Sequence, residues 1–197
     1  MDRFYSPKSK VEQANSLSNA PLPDYCDWNS VRCVDGKMVE LQHHRDRHDK
    51  LMDIHVLPPT VGDIHLTSCS LDYALHTRAL PRTLKDSNVS RNQLHGSVGL
   101  RTLPEHLVSL NLSMNRLVGP VDLTELPRNL KTLDLWDNRI RQSVVFFGQL
   151  PPNSEYLWLK IWGGSNRIGE LLGTSTENVE RLGRIFLDMP PKHIHIE

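Results

Sequence analysis

Histidines, acids, thiols and aromatic rings fall in a few places where residue type and spacing could serve chemistry. Gln42 to Lys50 reads QHHRDRHDK, and on a helix His44 and His48 would share one face and offer two nitrogens to zinc, with His43 beside them. No carboxylate or cysteine stands at a known ligand spacing there, so a solvated loop without metal is expected. Asp63 and His65 in GDIHL would lie on one face of a strand, as an acid–base pair must. Two polar neighbours are also what any exposed strand carries. The chain has no glycine-rich phosphate loop, no nucleophile elbow and no histidine–carboxylate pair at a motif spacing. We therefore expect no catalytic residue, no cofactor and no enzymatic activity. Cys26 and Cys33 stand close together in YCDWNSVRC, and in a reducing compartment they would be two thiols. Trp136, Tyr156, Trp158 and Trp162 crowd together in a chain that is only 6% aromatic. Rings grouped in this way supply contact area at low entropic cost.

These residues have to be held by something, and the sequence between Leu103 and Ile140 shows what. LPEHLVSLNLSMNRL and LPRNLKTLDLWDNRI share L-P-x-x-L-x-x-L-x-L-x-x-N-R-[LI] at an offset of 23 residues. The frame runs back through LPRTLKDSNVSRNQL from Leu80 and LPPTVGDIHLTSCSL from Leu57, and forward more loosely through LPPNSEYLWL from Leu150. A fixed period of this size means stacked coils. Alternation on a short strand turns Leu107, Leu110 and Leu112, or Leu130, Leu133 and Leu135, into the coil. Asn92, Asn115 and Asn138 should close a tight bend by bonding backbone groups that the bend leaves free. Cys69 holds that place in the first repeat, a structural position. Val98, Val121 and Val144 fall in register in the second halves, where glycine and proline within so short a period leave little room for helix. Two departures stand out. Ser87 replaces a central leucine, and about four residues are inserted between Leu159 and Asn166.

The L-x-x-L-x-L-x-x-N-x-L core resembles the leucine-rich repeat, and the L-P opening with its G-x-V-x-L second half resembles repeats common in kinetoplastid protists. The resemblance implies a solenoid with a short parallel sheet on its concave face and a convex side that is mostly irregular or extended. It implies a binding scaffold, not a particular ligand. CDWNSVRC resembles the C-x-W-x-x-V-x-C cap that precedes many secreted repeat domains, where the pair is a disulfide. With no apolar leader at its start, the chain is nevertheless expected in the cytoplasm, with Cys26 and Cys33 as thiols near Trp28 and Val31. A secreted or surface domain with a disulfide-capped N-terminus is the alternative, and a structural subunit of a larger assembly is another. The expected divisions are an arm over 1–24, a cap with the His-rich loop over 25–56, repeats over 57–168 starting near 57, 80, 103, 126 and 150, and an irregular cap or degenerate repeat over 169–197. Met38 to Leu41 should pair with the first repeat, Val179 to Phe186 should form a last strand or a capping helix, and His193 to Ile196 should be an edge strand.

If the leucines point inward, their neighbours form an outward face. In order these are Asp63, His65, Thr67 and Ser68; Asp86, Asn88, Ser90 and Arg91; Ser109, Asn111, Ser113 and Met114; Thr132, Asp134, Trp136 and Asp137; and Tyr156, Trp158 and Lys160. We single out His65, Arg91, Asn111, Met114, Asp134, Trp136, Asp137, Tyr156 and Trp158 as partner-binding residues. Asp134 and Asp137 flank Trp136 and suit a cationic partner. Trp162 belongs either to this face or to a segment folded back over the end of the core. Asn88-Val-Ser90 and Asn111-Leu-Ser113 match the glycosylation pattern, but a glycan there would block the face, so they read as chance matches. Five or six short strands present only a few hundred Å², below the ~800 Å² per partner of a standard interface. The expected partner is a peptide or a small protein surface. A net charge of +0 gives no reason to expect nucleic acid, and no apolar run approaches the ~18 residues of a membrane span.

Overall fold

A computed structural model describes residues 24–44, 52–151, 157–174 and 179–196. The described chain begins with a hairpin of β1 (Val31–Val34) and β2 (Lys37–His44). Its turn is Asp35-Gly36, both residues at positive φ (50° and 68°), the backbone that matches the twist of paired strands. Cys26 and Cys33, expected as two thiols, are instead joined in a disulfide that ties the turn over Tyr25–Asp27 to β1. Val31, Tyr25 and Cys33 pack on the core beside it. The charged stretch expected to loop from Gln42 is strand as far as His44, and its remainder, with His48, lies outside the described residues.

Each repeat then lays one strand on the same sheet. β3 (Asp63–Thr67), β4 (Asp86–Asn88), β6 (Ser109–Asn111), β9 (Thr132–Asp134) and β11 (Trp158–Lys160) follow β2 in parallel, giving seven strands in the order β1-β2-β3-β4-β6-β9-β11. Ile64, Ser87, Leu110, Leu133 and Leu159 stand opposite one another in register and are all buried. The sequence period therefore becomes a spatial column. Ser87 keeps its place in that column at 2% exposure, a small polar side chain where its neighbours bury four-carbon ones.

The second halves are extended strands and 3-10 turns, among them Ile54–Val56, Thr77–Ala79 and Leu100–Thr102. β5 (His95–Ser97) pairs with β7 (Arg116–Val118), and β8 (Asp122–Leu123), β10 (Arg141–Phe147), β12 (Arg167–Gly173) and β13 (Ile194–Ile196) form a four-stranded parallel sheet. The register of the valines drifts here. Val98 and Val121 are buried, but in β10 it is Val145 that faces inward and Val144 that is half-exposed, because this seven-residue strand restarts the alternation. The last coil is pressed close: a Cβ on Gly169 or Gly173 would meet the carbonyl oxygen of Ser143 or Phe147 on the neighbouring strand. Among the described residues the one α-helix is α1 (Val179–Ile185), which packs against β13 and β11. Leu182, Ile185 and Phe186 bury themselves there and close the end of the core, with Phe186 edge-on to Phe147 at 5.3 Å.

The bends are held by a side-chain ladder. Asn92, Asn115, Asn138 and Asn166 are buried. The Asn115 amide donates to the carbonyls of Val89 and Leu112 (both 3.0 Å) and accepts from the Leu94 N–H (3.0 Å). Asn138 repeats this one coil later with Leu112, Leu135 and Leu117. Asn166 does so after the insertion, with Leu135, Ile161 and Ile140. Each asparagine thus satisfies backbone groups in its own coil and the preceding one, groups that would be costly to leave unpaired in the core. Cys69 stands in the same place, its thiol facing the carbonyl of His43 at 3.5 Å. The residue before Cys69, Asn92, Asn115 and Asn138 takes a left-handed backbone: Ser68 (φ 61°), Arg91 (57°), Met114 (56°) and Asp137 (54°).

Candidate functional site

The outer face of the seven-stranded sheet carries two rows of side chains. Glu40, Asp63, Asp86, Ser109, Thr132 and Trp158 are register partners across successive strands, and so are Gln42, His65, Asn88, Asn111, Asp134 and Lys160. His65, Asn111 and Asp134, named from the sequence, therefore share one row, and Trp158 closes the other. Arg91, Met114 and Asp137 do not stand on strands. They occupy the left-handed bends beyond them. Tyr156 lies outside the described residues.

Ser90 and Ser113, expected to face outward, are buried at 7% exposure. Their hydroxyls turn back to donate to Asn88 Oδ1 and Asn111 Oδ1 (both 2.7 Å), and their N–H groups donate to the same oxygens at 3.1 and 3.0 Å. Asp134 Oδ1 accepts from the Trp136 N–H in the same way at 2.9 Å. These side chains terminate each strand by mimicking a turn, and half of the polarity of Asn111 and Asp134 is thereby used internally.

The acids differ in what balances them. Glu40 accepts from Arg32 Nε at 2.6 Å. Asp137 Oδ1 accepts from the Ser165 N–H (2.9 Å) and hydroxyl (2.8 Å), so it anchors the inserted segment. Asp63 and Asp86 stand side by side. Burial pushes the Asp86 carboxyl up and the Asp63 charge adds to this, while His65 and a bond from Ser109 act the other way. Burial also raises Asp134, against the Trp136 N–H and the Lys160 charge.

At the far end Trp136 is half-buried, with the Lys160 ammonium 5.2 Å from its ring centre. Gly163 (φ 92°) passes so close to its Nε1 edge that a Cβ there would sit 3.2 Å away. Trp162 is not part of this face. It packs on the core and lies 5.7 Å from the His193 ring, the folded-back arrangement.

A second polar cluster, which no motif announces, lies where the cap meets the first repeat. Asp53 Oδ1 accepts from His55 Nδ1 at 2.7 Å, and His55 Nε2 accepts from the His76 N–H at 2.9 Å. An Asp–His pair of this kind suits a general base only if the second nitrogen is open, and here a backbone N–H occupies it. Tyr73 stands beside it, accepting from the Ile54 N–H at 3.2 Å, and burial raises its hydroxyl far above the ordinary range. Among the described residues no three His, Cys, Asp or Glu side chains converge as metal ligands, and no helix is long and apolar enough to cross a membrane.

No protein-family description matches the chain, and no curated protein matches it. Among solved structures, a chain in the crystal structure of the BIR3–SERK2 complex from Arabidopsis thaliana is 20% identical, covering 84% of this chain and 87% of that one, with a TM-score of 0.41. The stacked coils rest on the strand registers of this chain, not on that likeness.

Proposed function

We propose that the chain is a non-enzymatic leucine-rich-repeat scaffold that binds a protein or peptide on the outer face of its seven-stranded sheet, taken as the concave one. One observation carries the reading: two rows of side chains cross the sheet in register, and the fold spends only part of their polarity, on strand-terminating bonds and on the ion pairs of Glu40 and Lys160. Asp63 and Asp86 at one end and Trp158 at the other favour an extended segment with basic groups followed by an apolar one. Four strand spacings of ~4.8 Å separate Asp63 from Trp158, a distance that about six extended residues cover. Carboxyl labelling tests this on the complex recovered from native cells. Asp63 and Asp86 should be protected relative to the free protein while Glu170 and Asp122, on the four-stranded sheet, should not. Equal labelling of all four in both states would contradict the reading.

Cytoplasmic residence and a secreted or cell-surface location remain two readings of where this happens. The Cys26–Cys33 disulfide favours the second, since such bonds persist in oxidising compartments. Alkylation of thiols before lysis separates them: one free cysteine per chain means the bridge exists in the cell, three mean that it does not.

A further inference from the structure

His55 is placed where neither of its nitrogens is spare. Nδ1–H donates to Asp53, whose same oxygen also accepts the His55 backbone N–H at 2.9 Å, and Nε2 accepts from the backbone of His76. A neutral imidazole has one donor and one acceptor, and both are used. The contact joins two successive 3-10 turns, Ile54–Val56 after the cap and Thr77–Ala79 after the first repeat, for which His76 is the N-cap. Tyr73 reinforces it by bonding Ile54 and by placing its ring edge-on to His55 at 5.3 Å. The side chain of His55 is 10% exposed, while His76 lies at the surface.

We propose that the His55–His76 hydrogen bond is an acid-sensitive latch: a proton taken up at His55 Nε2 sets two donors against each other, releases the His76 backbone and loosens the cap from the first repeat while later repeats stay closed.

The groups facing His55 decide where this happens. Asp53, on its own turn, favours the imidazolium, while the second imidazole, His76, has its ring centre 5.4 Å away and opposes it as it charges. Tyr73 stays neutral. Burial outweighs the help from Asp53 and lowers the His55 pKa. The folded state therefore resists a proton that the unfolded chain takes up near its ordinary pKa of 6.5. Stability from this site is full above that value and is lost as pH falls toward the lower folded one.

Histidine NMR on the full chain between pH 7.5 and 5, with amide exchange corrected for its intrinsic pH dependence, tests the latch. His55 should titrate below the ordinary value of 6.5, and His76 amide exchange should rise roughly fivefold or more with it, the effect of one lost hydrogen bond. Amides of Leu110 and Leu133 should not follow. His55→Gln keeps an acceptor without a titrating group, so the pH dependence at His76 should vanish. If that variant does not fold, Asp53→Asn should lower the His55 midpoint further. A His55 midpoint uncoupled from His76 exchange, an unchanged pH response in His55→Gln, or an unmoved midpoint in Asp53→Asn would each overturn the proposal.

Discussion

Lys160 Nζ lies 5.2 Å from the centre of the Trp136 ring and 3.5 Å from Asp188 Oδ2. The aromatic end of the sheet therefore carries its own cation, already balanced by an acid from the C-terminal segment, whereas at the opposite end Asp86 has Asp63 and His65 beside it. A partner that meets both ends gains most by bringing positive charge to the acidic one.

Replacing Lys160 with methionine keeps the apolar stem and removes the charge. The half-exposed cation–π contact and the exposed ion pair are each worth up to about 1 kcal/mol, so urea denaturation should show a loss of roughly 1 kcal/mol and no change in cooperativity. Iodide quenching of tryptophan fluorescence should rise at the same time.

Asn138 is fully buried and holds three backbone groups in two coils. Asn138→Ala strands those groups without water, which costs ~1 to 3 kcal/mol for each one left unsatisfied. Leu133→Ala, which only opens a cavity, should cost about 2 to 5 kcal/mol. Urea titrations should rank the asparagine variant at least level with the leucine one despite its smaller apolar loss.

The repeat was legible because one period fixes both the inward leucines and the outward register; Asp63, Asp86, Ser109 and Thr132 fall opposite one another as the 23-residue spacing requires. What stayed hidden depended on contacts outside the repeated frame. The Asn88 and Asn111 amides turn Ser90 and Ser113 inward, and Asp137 bonds Ser165, a residue of the insertion with no counterpart in other coils. The Cys26–Cys33 disulfide has its counterpart in the cap resemblance, outside the repeated frame. His55 and His76 lie 21 residues apart in second halves that share no motif, so nothing in either stretch announces their bond.

Gly173 faces the carbonyl oxygen and ring of Phe147 with no space for a Cβ. Gly173→Ala should force β12 away from β10 and destabilise the last coil by about 1 to 3 kcal/mol. Proteolysis should then begin after residue 166, while strands β3 to β9 keep their exchange protection.

Raised carboxyl pKa values at Asp86 and Asp134 mean that the folded chain disfavours their ionised forms. The penalty is full above the folded pKa and disappears as pH falls through the ordinary value of 3.8, below which both states are protonated. Asp86→Asn and Asp134→Asn should therefore be no less stable than the parent at pH 7, with any gain vanishing in acid. Thermal unfolding between pH 7 and 3.5 checks this. A bound cation offsets the same penalty, so partner affinity should fall as Asp86 takes up its proton.

Co-purification from native cells tests partner binding on the seven-stranded sheet most directly. An Asp86→Asn, Trp158→Ser variant alters both ends of the row, and Phe146→Ser alters a 52% exposed ring on the other sheet. With both variants folded by circular dichroism, the partner should be lost from the first and kept by the second. Retention by the first variant, or loss only from the second, would contradict binding on the seven-stranded sheet.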